Sequence, residues 1–79
     1  MAIVRYWAGA QAAAGRAEEA IPAGTVGELL AEIAARHDTA RVWTVCSLLV
    51  DGVAVRREDT GFRLGDAAVV DLLPPFAGG

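Results

Sequence analysis

Lysine is missing from this 79-residue chain, and all seven of its basic residues are arginine. Without lysine there can be no phosphate-binding loop of the G-x-x-x-x-G-K-[ST] type and no lysine Schiff base. The chain also cannot carry a lysine-linked modifier on a side chain. A net charge of −3 and an isoelectric point near 4.9 argue against nucleic acid as a partner, because that partner needs clustered basic residues.

Histidine and cysteine occur once each, as His37 and Cys46. A single cysteine excludes an intramolecular disulfide framework, which favours a reducing compartment. One histidine and one cysteine do not make a zinc spacing, so no metal site is expected. The longest apolar run is too short to cross a bilayer, and because "MAIVRYW" already has a strand pattern we expect no signal peptide. We therefore expect a cytoplasmic protein that does not contact a membrane.

Few side chains suggest catalysis. His37 follows Arg36 at a helix end, where we expect a solvated residue that complements the helix dipole. Cys46 lies among apolar residues and is expected to behave as a small buried hydrophobe. Adjacent carboxylates, which are expected to be solvated rather than to form an acid–base pair, occur at Glu18, Glu19, Glu58 and Asp59.

Runs of β-branched and aromatic residues predict five strands. They lie in "AIVRYWA", "RAEEAIPAG", the two runs around Asp51-Gly52, and "AAVVDLL". The Asp51-Gly52 pair favours a type I′ hairpin turn. In "AIVRYWA", Val4 and Tyr6 should share one face of the strand. The segment "GAQAAAG" is either a loop or a short helical turn.

The segment "TVGELLAEIAARH" predicts an amphipathic helix. Thr25 is a good N-cap residue, and Glu28 three positions later completes a capping box. One face of the helix is apolar, and its residues are Val26, Leu29, Leu30, Ile33 and Ala34. The following "HDTARVWT" is a connection of uncertain shape.

The resulting order β-β-α-β-β-β favours an α+β domain of two layers, with one main amphipathic helix on a sheet of about five strands. We place the domain at residues 1–73 and a projecting C-terminal tail at residues 74–79. The apolar character of "AVVDLL" suggests that the last strand is central in the sheet.

The terminal "LLPPFAGG" is the most informative motif. Gly78 and Gly79 have no Cβ, so the backbone can lie flat in a narrow channel and present an unhindered carboxylate. Two prolines restrict the base of the tail, and an aromatic residue supplies an apolar anchor. The predicted partner-binding segment is Pro74, Pro75, Phe76, Ala77 and Gly78, with Gly79 as the reactive residue.

Candidates for a partner-facing surface outside the tail are Leu73 and the Arg56-Arg57 pair that follows the predicted hairpin. For Arg56 and Arg57, an ordinary solvated face is the competing interpretation. For Trp7, a place in the core and a place on the docking surface are equally compatible with the pattern.

The chain resembles the MoaD/ThiS family of sulfur carriers, which are ubiquitin-like proteins of β-grasp fold. The resemblance rests on "LLPPFAGG", the element order, the hairpin at Asp51-Gly52 and the approach "RLGDAAVV", so it covers essentially the whole chain. The Pro74-Pro75 pair is most similar to the molybdopterin-synthase small-subunit branch of that family. One departure is Asp71, which lies inside a somewhat long final strand.

The resemblance implies a chemistry for Gly79. An adenylating enzyme of the ubiquitin-activating type (MoeB/ThiF-like) would use ATP to form an acyl-adenylate. A sulfurtransferase or other sulfur donor would then convert it to a thiocarboxylate, the 1-thioglycine form of Gly79. A MoaE-like large subunit of molybdopterin synthase would supply the pocket in which sulfur reaches a pyranopterin precursor. This chain would bind no cofactor and would not be an enzyme alone.

Three alternatives remain open on the sequence. The carrier chemistry could serve thiazole formation for thiamin, cysteine synthesis or a secondary-metabolite pathway. The chain could instead be a ubiquitin-like modifier joined to lysines of other proteins. A third alternative is an interaction domain whose tail is never activated.

Overall fold

The computed structural model describes residues 1–37 and 44–75. Within these residues the elements are β1 (Ala2–Tyr6), α1 (Gly9–Ala14), β2 (Glu18–Ile21), α2 (Val26–Arg36), β3 (Ser47–Val50), β4 (Val53–Val55) and β5 (Val69–Leu73). The predicted strand and helix order is confirmed, and "GAQAAAG" is resolved in favour of a short helix, α1. Most of the connection "HDTARVWT" lies outside the described residues.

The five strands form one mixed sheet in the order β2-β1-β5-β3-β4. Strand β5 pairs in parallel with β1 and antiparallel with β3, and the two outer pairs, β1 with β2 and β3 with β4, are antiparallel. The last strand in the sequence is therefore central in the sheet, as predicted. The α+β class is confirmed, since a mixed sheet carries helix α2 over one face.

Alternation along each strand decides which side chains enter the core. In β1, Val4 and Tyr6 are buried, whereas Arg5 between them is exposed. Helix α2 adds Val26, Leu29 and Ile33, all fully buried. Burial of each such large side chain contributes about 1.5–3 kcal/mol. The apolar stripe of α2 is narrower than predicted, because Ala34 is exposed.

The hairpin between β3 and β4 has the predicted turn type. Asp51 and Gly52 both have positive φ, at 49° and 84°, as a type I′ turn requires. Asp51 also pairs with the start of β5. Its amide donates to the Val69 carbonyl at 2.8 Å, and its Oδ1 accepts from the Val69 amide at 2.9 Å. The turn is thus attached to the central strand.

The predicted capping box at the start of α2 is present in modified form. The Thr25 side chain accepts from the Glu28 amide at 3.2 Å. The Glu28 carboxylate closes the box one residue earlier than expected, accepting at 2.8 Å from the amide of Gly24 rather than that of Thr25. Two more amides at this end of the helix donate to the segment before Leu64. The Val26 amide donates to the Phe62 carbonyl, and the Gly27 amide donates to the Thr60 carbonyl.

Gly27 allows that segment to lie close to the helix. Its amide donates to the Thr60 carbonyl at 2.9 Å, and a Cβ at Gly27 would lie 3.0 Å from both the Cβ and the carbonyl oxygen of Thr60. Alanine ordinarily stabilises a helix relative to glycine. At Gly27, however, the added Cβ would press on the backbone of Thr60. The hydrogen bond from the Val26 amide to the Phe62 carbonyl holds that backbone in place.

We therefore expect Gly27→Ala to lower the free energy of unfolding by about 1 kcal/mol, because overpacking outweighs helix propensity. Gly9→Ala in α1 is the matched control. Nothing lies within 4 Å of a Cβ at Gly9, so this change should raise stability by about 0.5 kcal/mol. Urea denaturation of both variants measures the difference, and a stabilised Gly27→Ala protein would contradict the close-approach argument.

Candidate functional site

The root of the tail lies at the end of the central strand. Leu73 is the last residue of β5, is half-buried, and pairs with Ser47 in β3. Pro74 is half-buried and Pro75 is exposed. The predicted tail residues Phe76, Ala77, Gly78 and Gly79 lie outside the described residues, so their roles remain predictions. A tail that starts here leaves from a strand held on both sides by β1 and β3.

Trp7 lies at the same edge of the sheet. Strands β1 and β5 are parallel, with Tyr6 opposite Leu72, so the next residues, Trp7 and Leu73, are neighbours across the two strands. The Trp7 amide donates to the Leu72 carbonyl at 3.3 Å. The side chain of Trp7 is 45% exposed. Of the two places compatible with the sequence, the structure therefore gives Trp7 the surface.

Asp71 organises the side chains next to this root. Its Oδ1 accepts from Arg5 Nε at 2.6 Å and from Trp7 Nε1 at 2.9 Å, and its Oδ2 accepts from Arg5 Nη2 at 3.0 Å. The Arg5 guanidinium carbon lies 5.8 Å from the centre of the Trp7 ring. We call Arg5, Trp7 and Asp71 the Asp71 cluster. The hydrogen bond from Arg5 is the main cause that lowers the pKa of Asp71 below its ordinary value, so this buried carboxyl stays ionised.

The Asp71 cluster belongs to the sheet face opposite the core, which we call the open face. Alternation places half-buried apolar side chains around the cluster on this face, and they are Ile3, Leu49, Val69 and Leu73. The open face therefore combines apolar surface with Arg5, the half-exposed Trp7, the buried carboxylate of Asp71 and the exposed carboxylate of Glu18, which pairs with Arg5 across β1 and β2.

Arg56 and Arg57, predicted as a partner-facing pair, have different environments. Arg57 Nη2 donates to the Cys46 carbonyl at 2.6 Å, which ties the segment after β4 to the start of β3. Arg56 is exposed and lies 3.5 Å from Glu58 in a solvent-facing ion pair. A structural contact thus already engages Arg57, and the partner-facing role of both residues remains a prediction.

Cys46 is buried, at 4% exposure, as predicted for a small hydrophobe. Burial raises the pKa of its thiol, and the charge of Arg57 offsets only part of that effect. The thiol is therefore protonated and poorly nucleophilic at neutral pH.

The expectation that Glu19 and His37 are solvated is wrong. Glu19 is only 9% exposed, and its carboxylate accepts from Tyr6 Oη at 2.8 Å and from Arg36 Nη1 at 2.9 Å. His37 Nε2 lies 2.8 Å from Oε1 of the same carboxylate, the oxygen that accepts from Tyr6, whereas Arg36 binds Oε2. We call these four residues the Glu19 cluster. Glu18, Glu58 and Asp59, by contrast, are exposed as expected.

Burial alone would raise the pKa of Glu19, but hydrogen bonds with His37, Tyr6 and Arg36 more than offset it and lower the pKa to about 2. The Tyr6 hydroxyl shows the opposite response, since burial and the bond to Glu19 raise its pKa. Strand alternation was the signal that could have found Glu19, because it shares the inward face of β2 with Ile21.

Among residues 1–37 and 44–75, no three His, Cys, Asp or Glu side chains converge as ligands of a metal ion would. No helix in the same ranges has the length and apolar character needed to cross a bilayer.

Solved structures share this fold over nearly the full chain. The small archaeal modifier protein 1 from Methanosarcina acetivorans superposes with a TM-score of 0.81 at 20% identity, covering 99% of this chain and 95% of its own. A putative molybdopterin converting factor subunit 1 from Pyrococcus furiosus superposes with a TM-score of 0.77 at 28% identity, covering 94% of this chain and 95% of its own. A third neighbour comes from the complex of subunits 1 and 2 of molybdopterin-converting factor from Helicobacter pylori. It superposes with a TM-score of 0.77 at 23% identity, covering 99% of this chain and 97% of its own. The fold is the ubiquitin-like β-grasp.

A comparison with curated protein sequences gives no significant match. The sequence model of the ThiS family, however, matches residues 4–79. That range includes the second half of β1, the whole central strand β5 and the terminal Gly-Gly, so the similarity is not confined to the tail. The chain is a member of the ThiS family.

Proposed function

We propose that this chain is a sulfur carrier and that the carboxylate of Gly79 is its reactive group. The observation that supports this most directly is the extent of the ThiS family match, which runs through residue 79 and so includes the Gly-Gly pair. The tail root on the central strand agrees with such a role, because a rigid base limits the conformations that docking must freeze. The carrier acts in the cytoplasm.

The chemistry follows from the carboxylate. A carboxylate oxygen of Gly79 attacks the α-phosphorus of ATP in the active site of an adenylating enzyme, and pyrophosphate leaves. The resulting mixed anhydride has AMP as a good leaving group. A hydrosulfide equivalent from a sulfur donor then adds to the acyl carbon, and AMP departs with the electron pair of the cleaved C–O bond. The product is the thiocarboxylate of Gly79.

We place the carrier in molybdopterin synthesis, as the small subunit of molybdopterin synthase. Two findings support this acceptor: the Pro74-Pro75 pair in front of the tail, and fold neighbours described as subunit 1 of molybdopterin-converting factor. The Helicobacter pylori neighbour was solved with subunit 2, and we infer a large-subunit partner of that kind here. The partner would supply the pocket and acid–base groups, while this chain supplies the sulfur.

Intact mass spectrometry tests the carrier role. The full chain is incubated with a cognate adenylating enzyme, ATP and a sulfur source, and we expect a gain equal to exchange of one oxygen for one sulfur. Omission of ATP should prevent the gain. If the enzyme thiocarboxylates another carrier but leaves this chain unchanged, the proposal is wrong. Incubation of the charged protein with candidate acceptor enzymes then distinguishes pyranopterin from thiazole synthesis.

A ubiquitin-like modifier is the second candidate function. It is favoured by the similarity to the archaeal modifier protein, which at 20% identity has a TM-score of 0.81. Both functions need adenylation of Gly79, so they differ only in what displaces AMP. A modifier would form isopeptide bonds between Gly79 and lysines of other proteins, and peptide mapping of cell extracts that contain the tagged chain would detect them.

A further inference from the structure

The tail is too short to separate Gly79 from the open face. Gly79 lies four residues beyond Pro75, and four residues span at most about 14 Å even when fully extended. An enzyme that binds the Gly79 carboxylate must therefore come within that distance of Pro75. Its surface then lies against the edge of the sheet where β1 and β5 end. Trp7 and Leu73 lie at this edge.

Asp71 is an unexpected residue for the middle of this sheet. It is only 6% exposed, and its neighbours along β5, Val70 and Leu72, are fully buried. A buried ion pair gives little net stability, because loss of hydration offsets the attraction, and apolar residues of similar size often serve as well. Packing therefore does not explain a carboxylate at this position, whereas its hydrogen bonds to two half-exposed side chains suggest a role at the surface.

We propose that Asp71 is a positioning residue that prepares Trp7 and Arg5 for docking of the adenylating enzyme. The inference rests on the proposed function, since it requires that Gly79 is adenylated. The indole of Trp7 is held through its Nε1–H, and both bonded nitrogens of Arg5 are held by the same carboxylate. Side chains that are already fixed lose less conformational entropy on binding, and Trp and Arg are the residue types that most often dominate interfaces.

The adenylating enzyme is the occupant we assign to this surface, because carrier and modifier functions both require it before any other partner. The chemistry of the open face defines the enzyme surface that would fit. An apolar area would cover the exposed part of Trp7 and the half-buried Leu73 beside it. An acceptor oxygen would meet the guanidinium of Arg5, whose side chain remains 46% exposed although it is paired with Asp71.

Steady-state kinetics of pyrophosphate release, with the full chain as the varied substrate, tests the proposal. We expect Asp71→Leu to raise KM about tenfold with kcat nearly unchanged, the pattern of a lost docking contact. Asp71→Asn keeps an oxygen acceptor for the indole, and its KM should remain within about threefold of the wild type. Val53→Ala on the outer strand β4 is the control, because Val53 pairs with the inward-facing Val50 and so lies off the open face, and its KM should equal that of the wild type.

A double-mutant cycle with Trp7→Ala separates positioning from general destabilisation. If Asp71 acts through Trp7 and Arg5, Asp71→Leu should raise KM less in the Trp7→Ala background than in the wild type, because only the release of Arg5 remains. Hydrogen exchange of the Trp7 indole N–H, followed by NMR, reports the bond itself. It should be slow in the wild type and Asp71→Asn, and fast in Asp71→Leu. If Asp71→Leu does not fold, KM is measured for Trp7→Ala and Arg5→Leu instead, and each change should raise KM.

Two outcomes overturn the inference, and they are distinguishable. If the wild type is adenylated and Asp71→Leu shows fast indole exchange but an unchanged KM, Asp71 has no role in docking while the proposed function stands. If the wild type is not adenylated by an enzyme that is active on another carrier, the proposed function fails and the inference fails with it.

Discussion

Deletion of Gly79 alone is expected to abolish the ATP-dependent mass gain while the unfolding transition stays unchanged. The deletion leaves a carboxylate on Gly78, so the chemical group survives but lies one residue, about 3.5 Å, short of its position in the enzyme. Misplacement of a reacting group by about 1 Å can already cost about a hundredfold in rate. We therefore expect at least that loss, and no product on the time scale of the wild-type reaction.

Stability should not change, because the buried residues of the described core run from Ala2 to Leu72. A chain with one residue added after Gly79 is the matched control, since it retains both glycines and displaces the carboxylate in the opposite direction. It too should fail. A persistent gain in the deletion variant would contradict Gly79 as the reactive residue. The size of that gain would identify the modified group. A persulfide on Cys46 adds the mass of one sulfur atom, whereas a thiocarboxylate adds only the difference between sulfur and oxygen.

Replacement of Glu19 by alanine is expected to lower the free energy of unfolding by about 3 kcal/mol. The change removes a buried acceptor and leaves the Tyr6 hydroxyl, Arg36 and His37 without their shared carboxylate. Breaking a buried charged network typically costs about 3–5 kcal/mol, and the partial exposure of Arg36 places this case at the lower end. Glu18→Ala is the matched control on the same strand, and since Glu18 is exposed it should change stability by less than about 0.5 kcal/mol.

The same carboxylate should make stability depend on acid pH. The pKa of Glu19 is lowered to about 2 in the folded protein from an ordinary 4.5, so the unfolded chain takes up its proton first. The contribution of Glu19 is therefore complete above pH 4.5 and is lost as pH falls from there towards 2. Urea denaturation across this range should show a weaker pH dependence in Glu19→Gln than in the wild type. Parallel curves would show that the Glu19 cluster does not stabilise the ionised carboxylate.

Local patterns were sufficient for helix α2, the hairpin and the alternation of β1. Each depends on neighbours within a few residues, such as the Thr25 side chain over the Glu28 amide or two consecutive positive φ angles at Asp51 and Gly52. The central position of β5 was also predicted, because a strand with both edges paired tends to be apolar. The tail motif is read from residue types alone and needs no fold to be recognised.

Pairing between distant segments decided the rest. Arg5 and Asp71 are 66 residues apart, and Glu19 and His37 are 18 apart, so no local pattern connects them. The sequence by itself determined the strands, helix α2, the α+β class and the Gly-Gly terminus, because these follow from backbone preferences and side-chain periodicity. Only the tertiary structure decided that one carboxylate is buried under α2 and another lies beneath Trp7. Those positions depend on strand register, because the register determines which side chains can hydrogen-bond to each buried carboxylate and so replace the water that it loses on burial.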